Sequence, residues 1–369
     1  MTDTTFAEDH GPLLARAREE LWRAVSDRDE HAAGRAVFDA LDAGADAEDV
    51  LLEVIAAVQR RVGLEWAANR FTVAQEHAAT AIHDRIIAAM AHRGPPADTP
   101  GTAGSVTVAC VDGEWHALPA RLLAEVLRHR GHRVDFLGAQ VPTPHLIAHL
   151  HQTSPDAVAL SSSIPARLPV AHTAISAVRA IDIPVLVGGA AFGADGRYAR
   201  LLGADAWAPD ARAAAGLLAR GLPRPSPGST RQAVEDLPHL LDQEYTLVLR
   251  SKRQLVKNVL AGLEDRLPAM RGYTEAQRER TAEDVAHIVD FLTCALYTDD
   301  SRLFTDFLDW TCDVLEARRV PARVLDPGLA LLREELKDFP RALGFLARGR
   351  ATLDERDARP LPPGPEHTA

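Results

Sequence analysis

Apolar residues recur every three or four positions along the first ninety residues, which is the period of a helix with one buried face. Two of these stripes are Leu14, Ala17, Leu21 and Val25, and Ala79, Ile82, Ile86 and Met90. Gly44 is suited to end one helix and Asp46 to cap the next, while Thr72 and Gln75 match a capping box. The pattern predicts a bundle of four helices over residues 10–92.

Between residues 105 and 221 the pattern changes, because short apolar runs alternate with helical segments. The runs are SVTVACVD, HRVDFLG, DAVALSSS, IPVLVGG and DAWAPD. Alternation of this kind is typical of a parallel sheet with helices on both faces and right-handed crossovers. We therefore predict a doubly wound, Rossmann-like α/β domain over residues 105–221.

Helical spacing returns over residues 230–350. One stripe there is Val285, Ile288, Leu292 and Leu296. Stretches rich in Pro, Gly, Ser and Thr at 93–105 and 222–230 predict linkers between the three blocks. Residues 351–369 predict a disordered tail. The fold class is thus α/β plus all-α, with a helical domain of five or more helices at the C-terminal end.

Composition narrows the classes of function. The 369 residues carry a formal net charge of −11, which argues against direct nucleic-acid binding because phosphate recognition needs a basic surface. The three cysteines are far apart and form no zinc or disulfide pattern. No run of 18 apolar residues could span a membrane, and the N-terminus lacks a signal-peptide pattern. We expect a cytoplasmic protein.

Polar residues and glycines follow three of the predicted strands. They are Glu114 and His116 after the first strand, Ser161 and Ser163 at the end of the third, and Gly188 and Gly189 at the end of the fourth. Ligands of open parallel sheets bind outside the carboxyl ends of the strands. These six residues are therefore candidates for one binding site.

Their arrangement resembles the cobalamin-binding signature of the methionine synthase type. Glu114-x-His116 is followed after about forty residues by Ser161-x-Ser163, and then by the Gly-Gly pair. The sequence departs from the signature at Pro119, where the family has glycine, and at Ser163, where it has leucine. The resemblance implies that His116 is the lower cobalt ligand in place of the cofactor's dimethylbenzimidazole. It also implies that the displaced nucleotide tail lies near the serines and glycines, and a carboxylate such as Glu114 suits the orientation of a metal-binding imidazole.

In the first block, Trp66 is followed after nine residues by Glu76 and His77. His77 lies off the apolar stripe of its helix, so it faces solvent or a ligand. The Trp-x9-Glu-His pattern resembles the cap of the CarH and LitR cobalamin photoreceptors. The resemblance implies adenosylcobalamin as cofactor, with Trp66 beside the 5′-deoxyadenosyl group and Glu76 and His77 near the upper corrin face. It further implies that His77 can take the upper position on cobalt after light breaks the cobalt–carbon bond.

Photoreceptors of this type carry a DNA-binding module ahead of the cap, whereas the predicted cap here starts near the first residue. We therefore expect output through a protein partner or a homo-oligomer. A helical domain after the cobalamin module resembles the photocobilins, which implies biliverdin as a second chromophore. Candidate pocket residues in that domain are His287, Tyr297, Trp310 and Cys312.

The leading hypothesis is a non-enzymatic cobalamin light sensor. The alternative is a corrinoid methyl carrier of a methyltransferase system, because the Glu114 and His116 loop suits that role equally well. A third hypothesis is a signalling module without cofactor, which the departures at Pro119 and Ser163 favour.

Overall fold

The computed structural model describes residues 11–93, 103–224 and 242–358. The chain divides into two compact units, residues 1–230 and 231–369. The first unit contains a helical bundle and an α/β domain, and the second is helical. Most of the two predicted linkers lies outside the described residues. No described helix combines the length and apolar character needed to cross a bilayer.

The N-terminal bundle, here called the cap, has the predicted helices. They are α1 (Gly11–Asp27), α2 (Glu30–Asp42), α3 (Ala47–Asp49), a π-helical segment (Val50–Ile55), α4 (Ala56–Ala67) and α5 (Val73–Ala91). The segments from Ala47 to Ala67 follow one another directly, so the bundle has four helical stretches. The side chain of Asp46 accepts the amides of Glu48 and Asp49, and Thr72 forms the predicted capping box with Gln75.

The α/β domain is the predicted parallel sheet. Its strands are β1 (Ser105–Cys110), β2 (Arg133–Gly138), β3 (Ala157–Ser161), β4 (Val185–Gly188) and β5 (Ala206–Ala208), in the order β2-β1-β3-β4-β5. Its helices are α6 (Ala117–His129), α7 (Thr143–Thr153), α8 (Leu168–Arg179), α9 (Arg197–Leu201) and α10 (Ala211–Ala219). The strand order reverses between β1 and β3, and ligand crevices form at such reversals.

The strand register aligns the carboxyl ends of the three central strands. Cys110 pairs with Ser161, and Ser161 pairs with Gly188. The segments that follow β1, β3 and β4 therefore leave the sheet side by side. The ends of these strands and the segments after them carry the six candidate residues predicted for this edge.

One apolar core runs through the cap and continues under α6 and α10. Ion pairs also join the two parts. Glu48 of the cap contacts Arg130 at 2.7 Å and Arg212 at 3.2 Å, and Arg212 also contacts Asp49 and Glu53. The hydrogen bond from Arg130 holds the pKa of the Glu48 carboxyl below its usual value, so this contact favours the charged form.

The described part of the second unit contains five α-helices, as predicted. They are α11 (Glu244–Arg266), α12 (Glu275–Thr298), α13 (Ser301–Ala317), α14 (Asp326–Glu335) and α15 (Pro340–Asp357). Because α15 continues to Asp357, the prediction of a disordered tail from residue 351 is wrong over its first seven residues. Leu353 continues the apolar stripe of Leu346 into the core, and Arg356 pairs with Asp309 at 2.7 Å. The predicted tail from 359 lies outside the described residues.

Candidate functional site at the carboxyl edge of the sheet

The loop between β1 and α6 holds a glutamate and a histidine in direct contact. Glu114 is fully buried, whereas about half of the His116 side chain is exposed. The Oε1 atom of Glu114 accepts the backbone amide of His116 at 2.9 Å and lies 2.6 Å from its Nδ1 atom. An ionised carboxylate only accepts hydrogen bonds, so Nδ1 carries the proton and Nε2 can present a lone pair in the neutral imidazole.

The second oxygen of Glu114 is held by the segment after β3. Oε2 accepts the amides of Ser163 at 2.6 Å and Ile164 at 3.2 Å, and the hydroxyl of Ser162 at 3.2 Å. Burial alone would raise the pKa of Glu114, but these bonds and those from His116 outweigh it and lower the pKa to about 2. Glu114 is therefore a fixed anion that orients His116.

We expect a Glu114→Gln substitution to lower the pKa of His116 toward its ordinary value. The hydrogen bond and the charge of Glu114 raise that pKa in the folded chain, although burial opposes them. The His116 contribution to stability is complete below the unfolded pKa of about 6.5, and it is lost as the pH rises through the raised folded pKa. An NMR titration of the His116 imidazole in the apoprotein measures the change. Asp135→Asn, which alters the partner of His149 on the same domain, is the control; an unshifted His116 in Glu114→Gln would contradict the assignment.

The two glycines stand where β3 and β4 end together. Gly189 has φ +99°, and a Cβ atom there would lie 2.2 Å from the carbonyl oxygen of Ser162. That carbonyl accepts the amide of Ala191, and the amide of Ser162 donates to the carbonyl of Gly188. Position 189 therefore requires glycine, and the close approach fixes the serine segment that holds Glu114. Ser161 itself is buried, while Ser163 is half-buried.

Trp66 lies in the last turn of α4 and is half-buried against the core of the cap. The helix ends in a Schellman motif, in which the amide of Arg70 donates to the carbonyl of Glu65 and that of Asn69 to the carbonyl of Trp66. Asn69 takes the left-handed conformation that this ending needs, with φ +57°. Because this turn is short, α5, which carries Glu76 and His77 in its first turns, begins seven residues after Trp66 in the sequence.

A chain of hydrogen bonds runs from the surface of the cap to its interior. Nδ1 of His77 contacts Glu76 at 2.7 Å, and Glu76 accepts the hydroxyl of Thr80 at 2.9 Å. Thr80 accepts the amide nitrogen of Gln59 at 2.8 Å, and the Gln59 oxygen lies 2.6 Å from Nδ1 of His83. His83 is fully buried, and burial lowers its pKa to about 4. Neutral His83 therefore donates from Nδ1 to the Gln59 oxygen. This fixes the direction of each following hydrogen bond and so the orientation of the Glu76 carboxylate.

One residue of the cap acts electrostatically on the α/β loop that carries His116. Glu76 is close enough to His116 to contribute to the rise in its pKa. The first unit therefore brings the Glu76 and His77 pair to the same region as the Glu114 and His116 pair. Each pair consists of a carboxylate bound to Nδ1 of a histidine whose ring is largely accessible.

The four residues predicted for the C-terminal pocket do not share one environment. His287 is exposed, and 46% of the Trp310 surface is exposed to solvent. Tyr297 and Cys312 are in the core, where Tyr297 packs against Tyr245 with ring centroids 4.8 Å apart. Burial raises the pKa of the Cys312 thiol to about 11, which leaves it unreactive near neutral pH.

Comparison with known proteins indicates which cofactor the chain binds. Residues 104–216 match a family model described as a B12 binding domain, and residues 17–90 match a second model with the same description. The chain contains two B12-binding domains. These domains support a cobalamin cofactor, and the two matches cover the α/β domain and the cap.

Two curated relatives come from Myxococcus xanthus. The HTH-type transcriptional repressor CarA is 32% identical over 185 residues, covering 48% of this chain and 59% of the relative. The HTH-type transcriptional repressor CarH is 31% identical over 142 residues, covering 38% of this chain and 46% of the relative. The chain thus spans about half the length of the curated relatives it matches. Among solved structures, the monomethylamine corrinoid protein of Methanosarcina barkeri is similar at a TM-score of 0.47 and 18% identity, covering 56% of this chain and 98% of that one.

The chemistry of the candidate residues fits a cobalt corrinoid. A neutral imidazole held by a carboxylate is a good ligand for a first-row transition metal. The buried Nε atom of Arg167 supplies a donor that has no acceptor among the described residues. Sequence reasoning missed Ser162 and Arg167. The run of three serines indicated the segment, but nothing in it showed which hydroxyl turns toward Glu114.

Proposed function

We propose that the chain is a light sensor, rather than an enzyme, and that it binds adenosylcobalamin between the cap and the α/β domain. The observation that carries the proposal is that each B12-binding domain holds a histidine by a carboxylate at Nδ1, and that the charge of Glu76 in one pair acts on His116 in the other. When bound, adenosylcobalamin would supply a cobalt–carbon bond that green light can break. The similarity to CarA and CarH supports this function.

On the lower side, His116 would ligate cobalt through Nε2 while Glu114 holds its Nδ1 proton. The Glu114 carboxylate needs no further donor from the cofactor, because both of its oxygens already accept hydrogen bonds. Ser161, Ser163, Gly188 and Gly189 would line the space of the nucleotide tail. This division of roles explains why a buried anion and an exposed imidazole occur in one short loop.

On the upper side, Trp66 would pack beside the adenosyl group, and Glu76 would accept hydrogen bonds from it. His77 would become the upper ligand after illumination, because Glu76 holds its Nδ1 proton and Nε2 can present a lone pair. Its side chain is 74% exposed, so little packing opposes a change of rotamer. The change in ligation would bias the position of the cap, and a protein partner or a second copy would detect that change.

Biliverdin remains a proposal for the second unit. The surface that best suits a planar pigment is the stack of Phe291, Phe307 and Trp310, where the first two rings lie 3.8 Å apart and Trp310 is half exposed. The originally predicted Tyr297 and Cys312 are in the core, so a bilin would have to reach them by rearrangement. A red absorption band that shifts when biliverdin is added to the full chain would support the second chromophore.

The test of the light-sensor function is an absorption spectrum of the full chain with adenosylcobalamin, recorded in the dark and after green light. We expect a stable product with two histidine ligands in the wild type, and a different product in His77→Ala. His31→Ala, on an exposed part of α2, is the control and should match the wild type. A spectrum unaffected by light would refute the proposal. Transfer of a methyl group from methylcobalamin to a thiol acceptor would favour the corrinoid methyl carrier instead.

A further inference from the structure

Arg167 lies directly against the loop that carries Glu114 and His116. A Cβ atom at Gly113 would lie 3.1 Å from Nη1, 3.2 Å from Cζ and 3.5 Å from Nε of Arg167, and Gly113 has φ +72°. Contact of one position with three atoms of the group shows that the guanidinium lies along the backbone at Gly113. The absence of a side chain there leaves room for this contact.

The guanidinium has no anionic partner in the part of the chain that the structure describes. Its Nε atom is closed off from solvent and makes no hydrogen bond with any described residue. Other arginines of the same domain are paired, such as Arg179 with Asp205 at 3.0 Å and Arg128 with Glu125 at 2.7 Å. A desolvated donor without an acceptor is unfavourable, so Arg167 is suited to an acceptor supplied by a ligand.

Glu114 forms no hydrogen bond or ion pair with Arg167 among the described contacts. Its oxygens accept hydrogen bonds from His116 and from the serine segment instead. Arg167 also ends a short helical turn, Pro165–Arg167, that packs against the turn Ala190–Phe192 after Gly189. The side chain therefore belongs to the region where the loops after β1, β3 and β4 meet.

We propose that Arg167 binds the phosphodiester of the cobalamin nucleotide tail and selects corrinoids that carry this phosphate over corrinoids that lack it. The inference rests on the proposed function only in that the site binds a corrinoid with its tail detached from cobalt. The phosphodiester is the one anion on the periphery of this cofactor. The planar guanidinium donates paired hydrogen bonds to phosphate oxygens, a geometry that lysine cannot supply.

The experiment compares three ligands: adenosylcobalamin, adenosylcobinamide phosphate and adenosylcobinamide. They share the corrin and the upper ligand, and only the first two carry phosphate. Dissociation constants are measured in the dark for the full chain, for Arg167→Gln and for Arg167→Lys. Arg133→Gln, an exposed arginine at the opposite edge of the sheet, is the matched control for loss of one positive charge. Circular dichroism of each apoprotein establishes that the variants fold.

We expect Arg167→Gln to weaken adenosylcobalamin and adenosylcobinamide phosphate by between about 10-fold and 100-fold and to leave adenosylcobinamide unchanged. Arg167→Lys should lie between the wild type and Arg167→Gln. Equal weakening of all three ligands would overturn the inference, because it would show that Arg167 only holds the loop at Gly113 and does not bind the phosphate. No weakening would overturn it as well. If the wild type bound none of the three, the proposed function itself would fail, so the two failures are distinguishable.

Discussion

A His116→Ala variant should keep the fold of the apoprotein and bind cobalamin without any protein nitrogen on the lower face of cobalt. The side chain is half exposed and its imidazole contacts Glu114, so truncation removes little packing. Glu114 keeps its bonds from Ser162, Ser163 and Ile164, and it stays satisfied without the imidazole. Since removal of a residue that merely orients a metal ligand costs about 10-fold to 100-fold in affinity, loss of the ligand should cost at least as much.

Electron paramagnetic resonance of the Co(II) form measures this ligation directly. With ¹⁵N-labelled histidine, the three lines from an axial ¹⁴N ligand should become two in the wild type and disappear in His116→Ala. Added imidazole should restore them, because the exposed side of the site is open to it. His151→Ala, on the exposed face of α7, is the control. If the wild type kept three lines with ¹⁵N-labelled histidine, the axial nitrogen would come from dimethylbenzimidazole. That result would contradict the role of His116.

A Gly189→Ala substitution should lower the free energy of unfolding by roughly 2–6 kcal/mol, the sum of a strained left-handed backbone and of overpacking. The added methyl carbon would meet the Ser162 carbonyl oxygen at 2.2 Å and its carbon at 2.9 Å, both backbone atoms that cannot rotate away. Any relief must move Ser162, whose hydroxyl and following amide hold Glu114. Loss of cobalamin binding should therefore accompany the loss of stability.

The matched control is Gly138→Ala. Gly138 also has a left-handed backbone, with φ +81°, but no atom lies within 4 Å of the new carbon. Gly138→Ala therefore measures how much the positive φ alone lowers the free energy of unfolding, which is about 1–2 kcal/mol. Urea unfolding followed by circular dichroism compares the two variants. An equal loss of stability in both would show that the contact with Ser162 contributes nothing.

Much of the fold could be predicted because local signals and the global pattern agree. The alternation of apolar runs and helical segments specified all five strands, and the capping residues Asp46 and Thr72 marked two helix starts. The end of α15 could not be predicted from composition, because the stretch before Pro360 is polar. It packs against the rest of the unit through buried Leu353 and through the ion pair of Arg356 with Asp309. A charged surface helix and a charged tail have similar compositions.

Most of the residues proposed to bind the cofactor could be predicted, whereas most of the residues that hold them in place could not. Glu114 and His116 are two residues apart, so their contact is local. Ser162 and Gln59 act over longer separations, on partners 48 and 24 residues away, and such pairings exist only once the elements have packed. Arg167 has no sequence pattern at all; its proximity to Gly113 depends on how the segment after β3 crosses the loop after β1.

Helix α6 joins two features that the sequence separates. His116 stands at its N-cap and Arg130 at its C-cap, and Arg130 holds Glu48 of the cap through two hydrogen bonds. The thirteen residues of α6 span about 20 Å and form one rigid element. We therefore expect an axial displacement of His116 to move Arg130, and with Arg130 its contact with Glu48 of the cap. One rigid element therefore connects His116 with the contact between Arg130 and Glu48.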